Sequence, residues 1–175
     1  MKHPLKPDYA FERLNDITPE TLRSFGVRFL LCDLDNTLVS PGTRRPTASA
    51  IAWLEKMRHG GVTVILVSNN SRKRVREFCR NLPLDGISQA RKPLPFGLTR
   101  ARKKMKAEAN ETAFLGDQLF TDVLGARLAG IVALYVQPRK KESGWFFDLK
   151  RRLELPFLQG LHFHHGKSRP TGSNE

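Results

Sequence analysis

Asp33 and Asp35 stand one residue apart where the apolar run Phe29–Cys32 ends, in the stretch FLLCDLDNTLV. Two carboxylates leaving a core together repel unless a cation or a reacting group lies between them. Two more sets of polar residues end apolar runs in the same way, Ser68-Asn69-Asn70 and Gly116-Asp117 with Asp122 five positions on, and between them Arg91-Lys92-Pro93 lies in a segment rich in turn residues. Carboxylates from different strands can hold Mg²⁺, a hard ion that takes oxygen ligands at about 2.0–2.1 Å and shares them with phosphate and water. Side chains two apart on an extended chain point the same way, roughly 6.5 Å apart. A phosphoryl group fits in that space. Asp33 can then attack phosphorus and form an aspartyl-phosphate, while Asp35 protonates the leaving oxygen and later takes a proton from water. Lys92 at about 4 Å from the phosphoryl oxygens contributes on the order of 4 kcal/mol at an effective dielectric near 20, before desolvation.

Such chemistry needs the four sets on one edge of the molecule. The runs 29–32, 62–67, 112–115 and 131–136 are short, apolar and rich in β-branched residues, the pattern of strands buried on both faces. Helical patterns over 47–59, 72–81, 96–107 and 122–128 alternate with them, the first with Thr47 as N-cap and Gly60-Gly61 at its end. Strand, helix, strand repeated predicts an α/β fold with a doubly wound parallel sheet in a single domain, and ligands in such sheets bind beyond the carboxyl ends of the strands. The domain is expected to span 1–158, with 159–175 as a disordered tail rich in Gly, Ser, His and Lys.

Composition narrows the partners. The 175 residues are 39% hydrophobic, enough for one core, and 30 Lys and Arg against 17 Asp and Glu give a formal charge of +13. Phosphorylated substrates, nucleic acid and acidic lipid surfaces all fit that charge. Cys32 and Cys79 make neither a disulfide framework nor a zinc motif, and Cys32 reads as a small buried strand residue. The N-terminal segment lacks a secretory h-region, and no apolar run approaches the roughly 20 residues that cross a bilayer. A cytoplasmic protein is expected, with peripheral contact at the inner face of the membrane.

Taken singly, each set has a plain structural reading. A lone DxD is often a solvated turn or a cap, Ser68-Asn69-Asn70 suits the end of a strand, and Asp122 can cap a helix. Arg91 offers a cation as well as Lys92. In order, however, Asp33-Leu34-Asp35-Asn36-Thr37, Ser68-Asn69-Asn70, Lys92-Pro93 and Gly116 to Asp122 resemble the four motifs of the haloacid dehalogenase superfamily of phosphatases. The resemblance runs over roughly residues 8–150 and is closest to the YqeG-like branch of subfamily IIIA, which shares the DITPETL lead-in. It implies Asp33 as nucleophile, Asp35 as acid/base, Ser68 as phosphoryl donor and Lys92 as the neutralising lysine, with Ser68, Asn69 and Lys92 contacting substrate. It also implies Mg²⁺ held by Asp33, the Asp35 main-chain oxygen and Asp117, with Asp122 in support. Asn36 stands where many members of the superfamily have Gly, as is usual in the YqeG-like branch.

Cap domains in this superfamily enter after the first or second motif, and here both segments are short. An uncapped site admits bulky substrates, and some relatives of this branch act on phosphatidylglycerophosphate. Two regions can supply a surface for one: the basic helix Arg72-Lys73-Arg74 with Arg76 and Arg80, and the segment 139–158, where Trp145-Phe146-Phe147 lie between basic clusters. The latter suits either an interfacial helix or a helix packing its aromatic face on the sheet. His162, His164 and His165 offer metal ligands or a frayed tail. A phosphatase of soluble sugar or nucleotide phosphates, and a basic RNA- or ribosome-binding module on the same scaffold, are the alternative functions.

Overall fold

The computed structural model describes residues 3–140 and 145–164, without the side chains of 145–148, 150 and 151. Strands β1 (Tyr9–Phe11), β2 (Phe29–Cys32), β3 (Thr63–Val67), β4 (Asp85–Ile87), β5 (Thr112–Gly116), β6 (Val132–Val136) and β7 (Phe163–His164) form one sheet in the order β4-β3-β2-β5-β6-β1-β7. Every pairing is parallel. The expectation of a doubly wound parallel sheet therefore holds.

Alternation along the strands divides the core. Leu30 and Cys32 of β2 face helices α1 (Pro19–Ser24), α2 (Ala48–His59) and α3 (Arg72–Cys79), where Leu22, Trp53, Met57 and Phe78 pack against them. Leu31 faces the opposite side, against Leu98 and Ala101 of α4 (Phe96–Lys104) and Ala126 of α5 (Leu124–Leu128). Phe157 and Leu158 of α6 (Trp145–Leu158) pack on that second side. The Trp53 indole satisfies its N–H on the Ile17 carbonyl at 3.0 Å. Thr47 caps α2 as expected, its hydroxyl accepting from the Ala50 N–H.

The C-terminal region departs from expectation. Phe163–His164, assigned from composition to a disordered tail, is a strand in register with Ala10 and Phe11. Aromatic docking accounts for it: the His164 ring lies 5.5 Å from Tyr9, 5.6 Å from Phe25 and 5.8 Å from Phe11, and Tyr9 stacks on Phe25. His164 thus joins an aromatic cluster, while His165 falls outside the described residues. So do the side chains of Trp145, Phe146 and Phe147, on which the interfacial reading of 139–158 rests.

Candidate active site

The carboxyl ends of β2, β3 and β5 carry the polar residues to one edge. Asp33 comes directly after β2 and its N–H stays in the sheet, bonded to the Leu115 carbonyl at 2.9 Å. Beyond it the chain turns tightly, with the Leu38 and Val39 N–H groups both donating to the Leu34 carbonyl. Asn36 sits in that turn at φ 63°, a left-handed conformation that Asn tolerates better than most residues. Its carboxamide oxygen accepts from the Lys140 N–H, so it also ties the turn to the segment after β6.

Lys92 lies at the centre. Its Nζ is 2.7 Å from Asp33 Oδ1 and 2.9 Å from Asp122 Oδ1, with both side chains almost fully buried. The Phe114 ring lies 4.8 Å beneath the ammonium and adds cation–π attraction. Burial disfavours the charge, but Asp122 and Asp33 more than offset it and hold the Lys92 pKa well above its usual value. Between Arg91 and Lys92, the geometry selects Lys92: Arg91 is exposed at the rim.

Asp33, Asp117 and Asp122 each offer a carboxylate oxygen within 4.8 Å of the others, and all three are buried. Thr37 donates to Asp117 Oδ1 at 3.5 Å. One ammonium thus faces three carboxylates. Burial pushes the Asp33 pKa up to about 6, with Lys92 opposing the rise and Asp122 adding to it. A surplus of negative charge carried on hard oxygen donors fits a divalent cation such as Mg²⁺.

Asp122 reaches this cluster by an unexpected route. The expected helix over 122–128 begins earlier, as a wide π-helical turn over Leu119–Val123 that runs into α5. Asp122 Oδ2 accepts from the Gln118 N–H at 3.1 Å and folds the side chain back over Gly116, where an added Cβ would collide with the Asp122 carboxylate. From α6, the buried Glu154 accepts from the Leu119 N–H at 3.0 Å and clamps the start of the turn.

The second motif divides its work among three side chains. Ser68 is buried, and its Oγ accepts from both the N–H and the carboxamide of Asn70 at 3.2 and 3.0 Å, which directs its own proton elsewhere. The Asn70 carboxamide also donates to Asp35 Oδ2 at 2.6 Å. Asn69, expected to contact substrate, instead turns to the Lys92 main chain, which occupies both ends of its carboxamide. Arg74, expected on an outer basic face, is drawn inward: its Nη2 donates to Asp35 Oδ1 at 3.0 Å. Asp33 and Asp35 therefore have separate partners, Lys92 for the first and Asn70 with Arg74 for the second. The residues given site roles from the sequence, Asp33, Asp35, Ser68, Asn69, Lys92, Asp117 and Asp122, all come to this edge; Arg74, Asn70, Thr37 and Gly116, named there without such roles, join them, as does Glu154, which was not named.

A parallel sheet with two aspartates after one strand, a serine after the next and a lysine set among aspartates defines a class of hydrolase. The chain belongs to the haloacid dehalogenase-like hydrolases, whose family model matches residues 13–130. Among curated proteins it is similar to the probable phosphatase YqeG of Bacillus subtilis strain 168, with 36% identity over 155 residues, 89% of this chain and 90% of that protein. Among solved structures it shares its fold with an uncharacterized protein from Listeria monocytogenes serotype 4b, at a TM-score of 0.52 and 15% identity, covering 76% of this chain and 99% of the other. It likewise shares its fold with 3-deoxy-D-manno-octulosonate 8-phosphate phosphatase from Moraxella catarrhalis, crystallised with magnesium ion, phosphate ion and its sugar (TM-score 0.52, 16% identity, 79% and 92% coverage).

Proposed function

We propose that the chain is a Mg²⁺-dependent phosphomonoesterase that works through an aspartyl-phosphate on Asp33. The observation that carries this reading is the Lys92 ammonium held between Asp33 and Asp122 at the carboxyl edge of the sheet. It is placed to neutralise phosphoryl oxygens as an anionic nucleophile approaches them.

Two displacements complete the reaction. In the first, an Asp33 oxygen bonds to phosphorus, the bond to the leaving oxygen breaks, and Asp35 gives that oxygen a proton. In the second, water attacks the phosphoryl group, Asp35 takes the water proton, and the bond to Asp33 breaks to release phosphate. Ser68 Oγ, already accepting from Asn70, donates its proton to a phosphoryl oxygen. Asp33, Asp117, the Asp35 main-chain oxygen and Asp122 in support are the residues to hold Mg²⁺, which when bound neutralises phosphoryl charge.

The substrate we assign is a phosphomonoester on a bulky alcohol, with phosphatidylglycerophosphate as its candidate. Openness supports this: α3, packed on one face of the sheet, and the edge strand β4 fill the segment between Ser68 and Lys92, and only a short loop joins Val39 to Thr47. Among the described residues no helix is long and apolar enough to cross a membrane. We assign a cytoplasmic location, peripheral at the inner face of the membrane, where the formal charge of +13 meets anionic lipid. Phosphate release from lipid, sugar, nucleotide and peptide phosphates, with wild type and Asp33→Asn side by side, tests the proposal. Turnover by wild type alone, lost in EDTA and restored by Mg²⁺, is expected; wild-type rates in Asp33→Asn would refute the mechanism.

A further inference from the structure

The rim beside Lys92 is apolar where a solvent-facing edge is ordinarily polar. Leu94 is 48% exposed and Phe96 70%, two and four residues beyond the buried lysine. Single exposed hydrophobics are common and need no function. This pair differs in following the buried Lys92 directly, with the Leu94 N–H bonded to the Arg91 carbonyl. Gly97 presses the start of α4 against Ala90, where an added Cβ would collide with the Ala90 main chain. Leu98 and Ala101 take the buried face of α4, which leaves Phe96 turned away from the sheet.

Basic side chains share the same edge. The loop after β4 is stitched to the loop after β3: the Gln89 N–H donates to the Asn70 carbonyl, the Ala90 N–H to the Ser68 carbonyl, and Asn69 joins the Lys92 main chain. Exposed Arg91 on one loop therefore stands near exposed Arg72 and Lys73, which open α3 directly after the other. Arg74, by contrast, is engaged with Asp35. Two exposed apolar side chains with exposed cations on the same edge is the chemistry of a surface that meets an anionic bilayer, since acyl chains take the Leu and Phe while headgroups meet the Arg and Lys. A nucleic acid has use for the cations but none for a solitary exposed Leu.

We propose that Leu94 and Phe96, with exposed Arg91, Arg72 and Lys73 on the same carboxyl edge of the sheet, form a docking face for an anionic lipid bilayer that presents a headgroup phosphate to Asp33. The proposal rests on the phosphomonoesterase reading only for what the docked site does; docking itself is measured without turnover.

The experiment is cosedimentation of the full-length protein with phosphatidylcholine vesicles, with and without phosphatidylglycerol, beside melting curves and hydrolysis of p-nitrophenyl phosphate. Wild type is expected to bind only the anionic vesicles and to be released by salt. Leu94→Ser with Phe96→Ser should weaken vesicle binding about tenfold or more, with melting temperature and aryl phosphate hydrolysis unchanged. Arg91→Glu should likewise weaken binding. Absence of anionic preference in wild type overturns the proposal. So does binding lost with Trp145→Ser and Phe146→Ser but not with the Leu94 and Phe96 changes, or a large fall in melting temperature in the latter, which would make them packing residues. Binding that responds to Arg91 yet ignores Phe96 also overturns it, in favour of a polyanion site. Vesicle binding through Phe96 with no hydrolysis of any phosphate ester leaves docking intact and sinks the catalytic reading; hydrolysis of dispersed lipid without vesicle binding does the reverse.

Discussion

Asn69 brackets the Lys92 peptide, its carboxamide oxygen accepting from the Lys92 N–H at 2.8 Å while its nitrogen donates to the Lys92 carbonyl at 3.1 Å. The loop after β3 and the lysine loop meet through this side chain, which fixes where the ammonium stands. Asn69→Ala should lower kcat about 10²-fold through a misplaced Lys92. It should cost only about 1–3 kcal/mol of stability for two lost hydrogen bonds. Steady-state kinetics with thermal melts check this; an unchanged kcat would show that Lys92 needs no such brace.

Arg74 and Asn70 hold Asp35 from two sides. Arg74→Met should therefore slow esters of poor leaving groups by up to about 10²-fold, because only they depend on a well-placed general acid. Aryl phosphates should be nearly unaffected. The ratio of glycerol phosphate to p-nitrophenyl phosphate turnover is the measurement, and equal losses on both would mean that Arg74 acts elsewhere.

Asp33 carries a pH signature. Its pKa in the fold is about 6 against an ordinary 3.8, so the folded state binds this proton more tightly than the unfolded chain does. The associated stability is fully present below 3.8 and is lost as pH rises through about 6. In chelator, wild type should accordingly lose stability relative to Asp33→Asn across that window, and the variant should be the more stable protein at neutral pH. Mg²⁺ should narrow or reverse the gap by stabilising the ionised wild-type cluster. Melting temperatures of both proteins over the window, with EDTA or Mg²⁺, read the effect.

Gly116 leaves space that the Asp122 carboxylate fills. Gly116→Ala should push Asp122 away from Lys92, cost about 1–3 kcal/mol in overpacking and weaken Mg²⁺ binding. Calorimetric titration with Mg²⁺ detects the loss directly, and wild-type affinity in the variant would show that Asp122 is dispensable to the cluster.

Glu154 governs the same turn from a distance. Glu154→Leu leaves the buried Leu119 N–H without its acceptor, which should destabilise the protein by about 1–3 kcal/mol. Urea unfolding measures it, and a change within a few tenths would mean that the turn holds without α6.

The elements that carry the site were legible because parallel strands covered on both faces must be apolar throughout, and Phe29–Cys32 is copied unchanged from run to strand. The polar residues just past each run then lie at the carboxyl edge by topology alone. Strands of the periphery left no such mark. Tyr9–Phe11 is too short for a period, Asp85–Ile87 begins with Asp-Gly, and Phe163–His164 owes its place to rings contributed by distant elements. Arg74 looked like one more surface cation in RKR, since nothing near it in sequence announces a carboxylate 39 residues away. The bracing role of Asn69, read from the sequence as a substrate contact, and the clamp of Glu154 were hidden for the same reason: each is defined by a partner in a distant segment.

The place of β1 in the sheet bears on how the chain is made. It leaves the ribosome first, yet its neighbours are β6 and β7, and Asp8 finds the Ala133 N–H only 125 residues later. At about 5–20 residues per second, translation leaves Phe11 without a strand partner for roughly 6–25 s. The nucleus of folding can form meanwhile from β2, β3 and β5, whose mutual pairings close shorter loops. Adding β1 beside β6, with β7 outside it, then comes late. Substitutions in β1 should consequently quicken unfolding while leaving the refolding rate almost untouched, a one-armed shift in a chevron plot.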